Sequence, residues 1–102
     1  MKVILTEDVE DFIRSLDIKG ESRARMYLLM LQRFGNLLRM PYSRNLLPGI
    51  FELRVTGENN LRLIYVFIKD SAIVFHVFSK KTQKTGNKEM KLIKNKFRYL
   101  QL

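Results

Sequence analysis

Glu52, Arg54 and Arg62 are the residues of this sequence best placed to do chemistry, with Lys80 and Lys81 close behind them in the chain. All five fall in IFELRVTGENNLRLIYVFIKDSAIVFHVFSKK, residues 50–81, where three strand-like apolar runs carry cations inside them or at their ends. Side chains along a strand alternate between its two faces. Ile50, Glu52 and Arg54 therefore share one face of the first run, and Arg62, Ile64 and Val66 share one face of the second. A hairpin folded symmetrically about Glu58 sets Arg54 opposite Arg62 and Glu52 opposite Ile64. Like charges directly across a strand pair destabilise a sheet by about a few tenths of a kcal/mol or more. Two readings of this face stand open: an ion-pair network in which Glu52 offsets the arginines, or a cationic surface that binds a polyanion.

The residue types limit what reaction such a face can support. The sequence has no phosphate-binding glycine loop, no nucleophile elbow, no paired-carboxylate metal site and no Cys/His ligand spacing, so neither metal nor cofactor is expected. Metal-free RNA cleavage asks for less, because the substrate's own 2′-OH attacks the adjacent phosphate. Protein cations then stabilise the transition-state charge, and a lysine or glutamate with a shifted pKa handles the proton. The one histidine, His76, lies in the apolar run Ile73-Val74-Phe75-His76-Val77-Phe78 and reads as a hydrogen-bonded core residue, since no second histidine or acid cluster supports it.

Composition points the same way. The formal net charge is +9, unevenly spread: residues 1–21 hold six acids against three bases, and the remainder holds sixteen bases against four acids. A basic C-terminal part implies a polyanionic partner such as RNA or DNA, the alternative being a generally basic solvated surface. Arg44, Lys84 and Lys88 extend the cationic set and are expected to contact nucleic acid. With 102 residues, 46% hydrophobic residues and no cysteine, the chain is expected to form one domain, residues 1–102, without disulfides. The N-terminal MKVILTEDVEDF is too short for a signal-peptide core, and no stretch approaches a membrane span of about 18 apolar residues; a cytoplasmic protein is expected.

The elements that must hold these residues can be read in order. Val3-Ile4-Leu5 reads as a short strand. Thr6 caps a helix with Val9, Phe12, Ile13 and Leu16 on its buried stripe, ending near Lys19-Gly20. Ser22 caps a second helix, whose apolar face is Tyr27, Met30, Leu31, Phe34 and Leu38 and which Gly35 or the stretch just after it stops. Residues 36–49, which hold both prolines, form a connector. Strands follow at about 50–55, 61–69 and 72–79, separated by turn-rich breaks. A last helix runs from about Gly86 to Leu100, with Met90, Ile93, Phe97 and Leu100 on one face and Lys84, Lys88, Lys91, Lys94, Lys96 and Arg98 on the other. The expected fold is α+β, in the order β-α-α-β-β-β-α, with an antiparallel meander packed by an N-terminal helical hairpin.

Three blocks carry a family resemblance: MPYSRNLLPGIFELR, NLRLIYVF and FHVFSKKTQKT, which lie between Met40 and Thr85. They resemble the RelE/ParE toxin superfamily, and within it the phage-derived, HigB-like branch. The resemblance implies the toxin of a type II toxin–antitoxin pair: an mRNA interferase, that is, an endoribonuclease that cleaves mRNA on the ribosome. It also implies a cognate antitoxin, of helix-turn-helix, HigA-like type. The family's basic sheet residues fall on Arg54 and Arg62, and its basic pair after the last strand on Lys80 and Lys81. Glu52 stands where RelE-like members carry a lysine, and related toxins that use a glutamate keep it a candidate base. The proline that commonly follows the last block is Gly86 here. ParE-type members share the fold and inhibit DNA gyrase without catalysis, so gyrase inhibition, or an inactive nucleic-acid-binding member, is the alternative.

Overall fold

A computed structural model of the chain describes residues 1–58, 60–80 and 85–100. The N-terminal strand β1 spans Lys2–Leu5 and leads into two helices, α1 (Glu7–Arg14) and α2 (Ile18–Phe34). Four strands follow: β2 (Ser43–Leu47), β3 (Ile50–Val55), β4 (Leu61–Ile68) and β5 (Ser71–Ser79). Helix α3 (Asn87–Leu100) is the last element. The five strands make one sheet in the order β1-β5-β4-β3-β2. Strands β2 to β5 form an antiparallel meander, and β1 lies parallel to β5 at its outer edge. The architecture is α+β, with helices on both faces.

The two faces have separate cores. On one, Leu53, Val55, Leu61, Leu63, Tyr65 and Val74 pack against Val9, Ile13, Ala24, Tyr27, Leu28 and Leu31 of the α1–α2 hairpin. On the other, Ile50, Ile64, Val66 and Phe75 pack with Ile93, Phe97 and Leu100 of α3. The hairpin is clamped where Arg25 reaches both carboxylate oxygens of Glu10, at 3.0 and 2.5 Å. That bond, with Arg25's charge and a second bond from Arg14, holds the Glu10 carboxyl down at about 2.

Three sequence expectations need correction. The first helix does not reach Lys19-Gly20, and Ser22 does not cap the second. Helix α1 stops at Arg14, and Asp17 starts α2, its side chain accepting a hydrogen bond from the Gly20 N–H at 2.7 Å. A carboxylate at an N-cap satisfies an otherwise orphaned donor, so Gly20 begins a helix rather than ending one. The stretch read as a connector contains β2, which adds a fourth strand to the meander. Its pattern is hard to read because the pairing register with β3 shifts between Asn45 and Leu47, and because three of its five residues, Ser43, Arg44 and Asn45, are polar.

One irregularity aims side chains. Ile64 pairs with His76 but Tyr65 pairs with Val74, which leaves Phe75 as an extra residue in β5. Such a bulge puts two successive side chains on one face of a strand. Val74 and Val77 both face the helical hairpin, while Phe75 and His76 both face α3.

Candidate functional site

The β3–β4 hairpin turns where Val55 pairs with Leu61, so its centre is Glu58 and the pairing is in the expected register. Gly57 makes the turn possible: its φ of +138° suits only glycine, and a Cβ there would meet the Arg23 side chain at 2.9 Å. Arg54 consequently lies opposite Arg62, Glu52 opposite Ile64, and, across the other edge, Arg44 opposite Glu52.

Glu52 is fully buried, and its Oε1 is the hub of the site. Arg44 Nε donates to it at 2.6 Å, while Arg54 Nε and Arg62 Nε stand at 3.9 and 4.0 Å. Arg62 is itself buried, with one further bond, from Nη1 to the carbonyl of Leu61 at 3.1 Å. Arg54 is fixed by its backbone, whose N–H donates to the Tyr42 carbonyl at 2.7 Å, and its Nη1 touches Met40 Sδ at 3.2 Å. Lys80 follows β5 directly; its N–H donates to the Asn60 carbonyl at 2.8 Å, and the residue is 7% exposed.

One carboxylate therefore serves four cations, Arg44, Arg54, Arg62 and Lys80. Three buried polar atoms in this group, Glu52 Oε2, Arg54 Nε and Arg62 Nε, have no hydrogen-bond partner. Buried donors without partners are uncommon in folded proteins and call for a reason. Electrostatics agrees with the geometry. Burial holds Lys80 below its ordinary value; Glu52 opposes the shift, and Arg62, Arg44 and Arg54 add to it. Burial likewise lowers Arg62, against Glu52 and with Arg54 and Arg44. The arrangement is short of negative charge and can accept an anionic group such as a phosphate.

Of the residues singled out from sequence, Glu52, Arg54, Arg62, Lys80 and Arg44 come together. Lys88 does not: it is exposed in the first turn of α3. Lys81 and Lys84 lie outside the described residues. His76 is a buried, hydrogen-bonded residue on the α3 side, with Nε2 at 3.0 Å from Glu89 Oε1 and Nδ1 at 3.0 Å from Lys96 Nζ. Sequence reasoning missed that link to α3, because it depends on the β5 bulge. It also missed Met40 and Tyr42, whose place beside Arg54 follows from β2. Among the described residues no cluster of three His, Asp or Glu could hold a metal ion, and no helix is long and apolar enough to cross a membrane.

The model of the phage-derived protein Gp49-like family (DUF891) matches residues 11–98. The chain belongs to that family. Its fold is similar to that in the crystal structure of the isolated E. coli RelE toxin, with a TM-score of 0.62 over 92% of this chain and 96% of that one, at 12% identity. No curated protein matches the sequence. The family is phage-derived and the fold is RelE-like.

Proposed function

We propose that this protein is a metal-independent endoribonuclease, the toxin of a type II pair, which cleaves mRNA on the ribosome and is silenced by a helix-turn-helix, HigA-like antitoxin. The observation that carries the reading is the buried excess of cations around Glu52, with guanidinium N–H groups left unpartnered. A phosphodiester supplies the missing charge and the missing acceptors together.

In this reading Arg54 and Arg62 hold the non-bridging oxygens of the scissile phosphate, where charge grows as the 2′-oxygen adds to phosphorus. Lys80, whose ammonium form is disfavoured by burial and by three arginines, takes the proton of the attacking 2′-OH. The bond from phosphorus to the 5′-oxygen then breaks, and that oxygen is protonated from solvent. Glu52 has its Oε1 shared among three guanidinium groups, so its part is to position the arginines. Arg44 is exposed enough to meet the RNA strand as well as Glu52. Lys81 and Lys84 continue the cationic run in sequence and contact the same strand.

Inducing the protein in growing cells and mapping mRNA 5′ ends tests the proposal. Cleavage within translated frames is expected, and Arg62→Ala should abolish it. Unaffected growth, or full toxicity of Arg62→Ala, overturns it. DNA-damage signalling without new mRNA ends would instead mark a gyrase inhibitor.

A further inference from the structure

Outside the proposed site, three cations of the described residues pair with acids: Arg14 and Arg25 meet Glu10, Arg25 also meets Glu21, and Lys96 meets Asp8. The outer face of α3 instead gathers several cations, unpaired among the described residues, on one side of a single helix. At 3.6 residues per turn, Lys88, Lys91, Lys94, Asn95 and Arg98 fall on one side of the helix, and all five are exposed. Among the described residues none of the four cations has an acidic partner. The helix's one acid, Glu89, points the other way, to His76. Tyr99, 78% exposed, borders the stripe. Lys91, Lys94, Asn95, Phe97 and Arg98 line a shallow groove of about 530 Å³. The inner face of the same helix is fully committed, through Ile93, Phe97 and Leu100, to the sheet face that carries the Glu52 cluster.

We propose that this face of α3 is a second RNA contact, which grips the sugar–phosphate backbone beyond the cleaved step and reads no sequence. Charge complementarity selects the occupant: a row of cations free of acid matches a chain of phosphates, and the bordering tyrosine offers a stacking surface to an unpaired base. The inference rests on the endoribonuclease reading for its partner. Its effect falls on binding, whereas the Glu52 cluster acts on the broken bond.

The test is the affinity of the full chain for a single-stranded uridine 20-mer, read by fluorescence anisotropy across a salt series. Three proteins are compared with wild type: Lys91→Gln/Lys94→Gln/Arg98→Gln on α3, Lys2→Gln/Lys19→Gln/Arg33→Gln on exposed positions elsewhere, and Arg62→Ala. Each phosphate contact on single-stranded nucleic acid contributes about 0.7 to the log–log salt slope. The α3 variant should lose about 2 from that slope, and affinity should fall about 50-fold at 0.15 M salt. The second variant, with the same change in net charge, should lose far less. Equal losses in the two would make the effect one of net charge alone and overturn the proposal, as would an unchanged slope in the α3 variant. Arg62→Ala is judged separately, by cleavage. If it still cleaves, the catalytic reading fails whatever α3 does; if it binds RNA but does not cleave, a failure of the α3 variant to weaken binding counts against α3 alone.

Discussion

Replacing Glu52 by glutamine keeps the side chain's size and removes the only negative charge in the cluster. The carboxylate is fully buried, and three guanidinium groups lie within 4.0 Å of its Oε1. Removing one partner of a buried ion pair typically costs about 3–5 kcal/mol, because the remaining charge is stranded. Arg44 is 41% exposed and can swing into water, where screening makes its share small; Arg62, 8% exposed, cannot. The low end, about 3 kcal/mol, is therefore expected. In a domain of this size each kcal/mol moves the melting temperature by about 4–8 °C, so Glu52→Gln should melt at least about 12 °C lower, read by circular dichroism or calorimetry.

The same substitution sharpens the site's appetite for anions. With its one counter-charge gone, the group of Arg44, Arg54, Arg62 and Lys80 should bind inorganic phosphate more tightly, and a ligand that binds only the folded state raises stability in proportion to its affinity. Phosphate should restore more degrees to Glu52→Gln than it adds to wild type. A variant that melts within about 1 kcal/mol of wild type would refute the idea that Glu52 holds the arginines in place. Equal stabilisation of both proteins by phosphate would refute the idea that the cations form one anion site.

Three further outcomes follow from the same physics. Arg62→Met removes one of three guanidinium groups around Glu52 together with its repulsion against Arg54 across the strand pair; because Arg44 still donates to Glu52 Oε1 at 2.6 Å, the carboxylate is not stranded, so thermal melts should fall by much less than in Glu52→Gln, together with lost cleavage. Lys80 titrates below its ordinary 10.5, so the cleavage rate should rise with pH through a limb below that value, and Lys80→Arg should remove the limb while Glu52→Gln keeps it. The unfolded chain binds more protons than the folded one across that window, so Lys80's contribution to stability grows as pH rises through it. His76 is held below its ordinary 6.5 by burial and by Lys96, against Glu89 and Asp8. Its neutral ring therefore contributes stability that is full above that value and lost as pH falls toward the lower folded value; the stability gap between wild type and His76→Gln, from urea titrations, should narrow as pH drops from about 7 to about 5.

The hairpin and its charged face were legible because alternation and turn chemistry are local properties. Once TGENN is read as a turn centred on Glu58, the facing of Arg54 and Arg62 follows from strand geometry alone. The missing parts were non-local. Strand β2 is an edge strand whose first three residues are polar, so its identity lies in pairing with β3 and not in a hydrophobic pattern. The contest between Asp17 and Ser22 for the α2 cap was decided by which side chain reached a free N–H. The β5 bulge, which turns His76 toward Glu89 and Lys96, has no sequence mark in a run where nearly every residue is apolar.

Cations inside β3 and β4 are tolerable only because the reverse face of the same hairpin is so strongly committed. Leu53 pairs with Leu63 and Val55 with Leu61, and all four are buried against the helices. A one-residue slip in a strand pair exchanges its faces; here it would drive Arg62 into the hydrophobic core and bring Leu63 out among the arginines. The apolar face thus fixes the register with far more free energy than the repulsion between Arg54 and Arg62 can oppose. The site is held against its own electrostatics by residues on the opposite face of the sheet. Inserting one residue into the TGENN turn should on this argument do more harm than any single change within the charged cluster, and a protein that folds and cleaves with such an insertion would show that something other than pairing register holds Arg54 and Arg62 together.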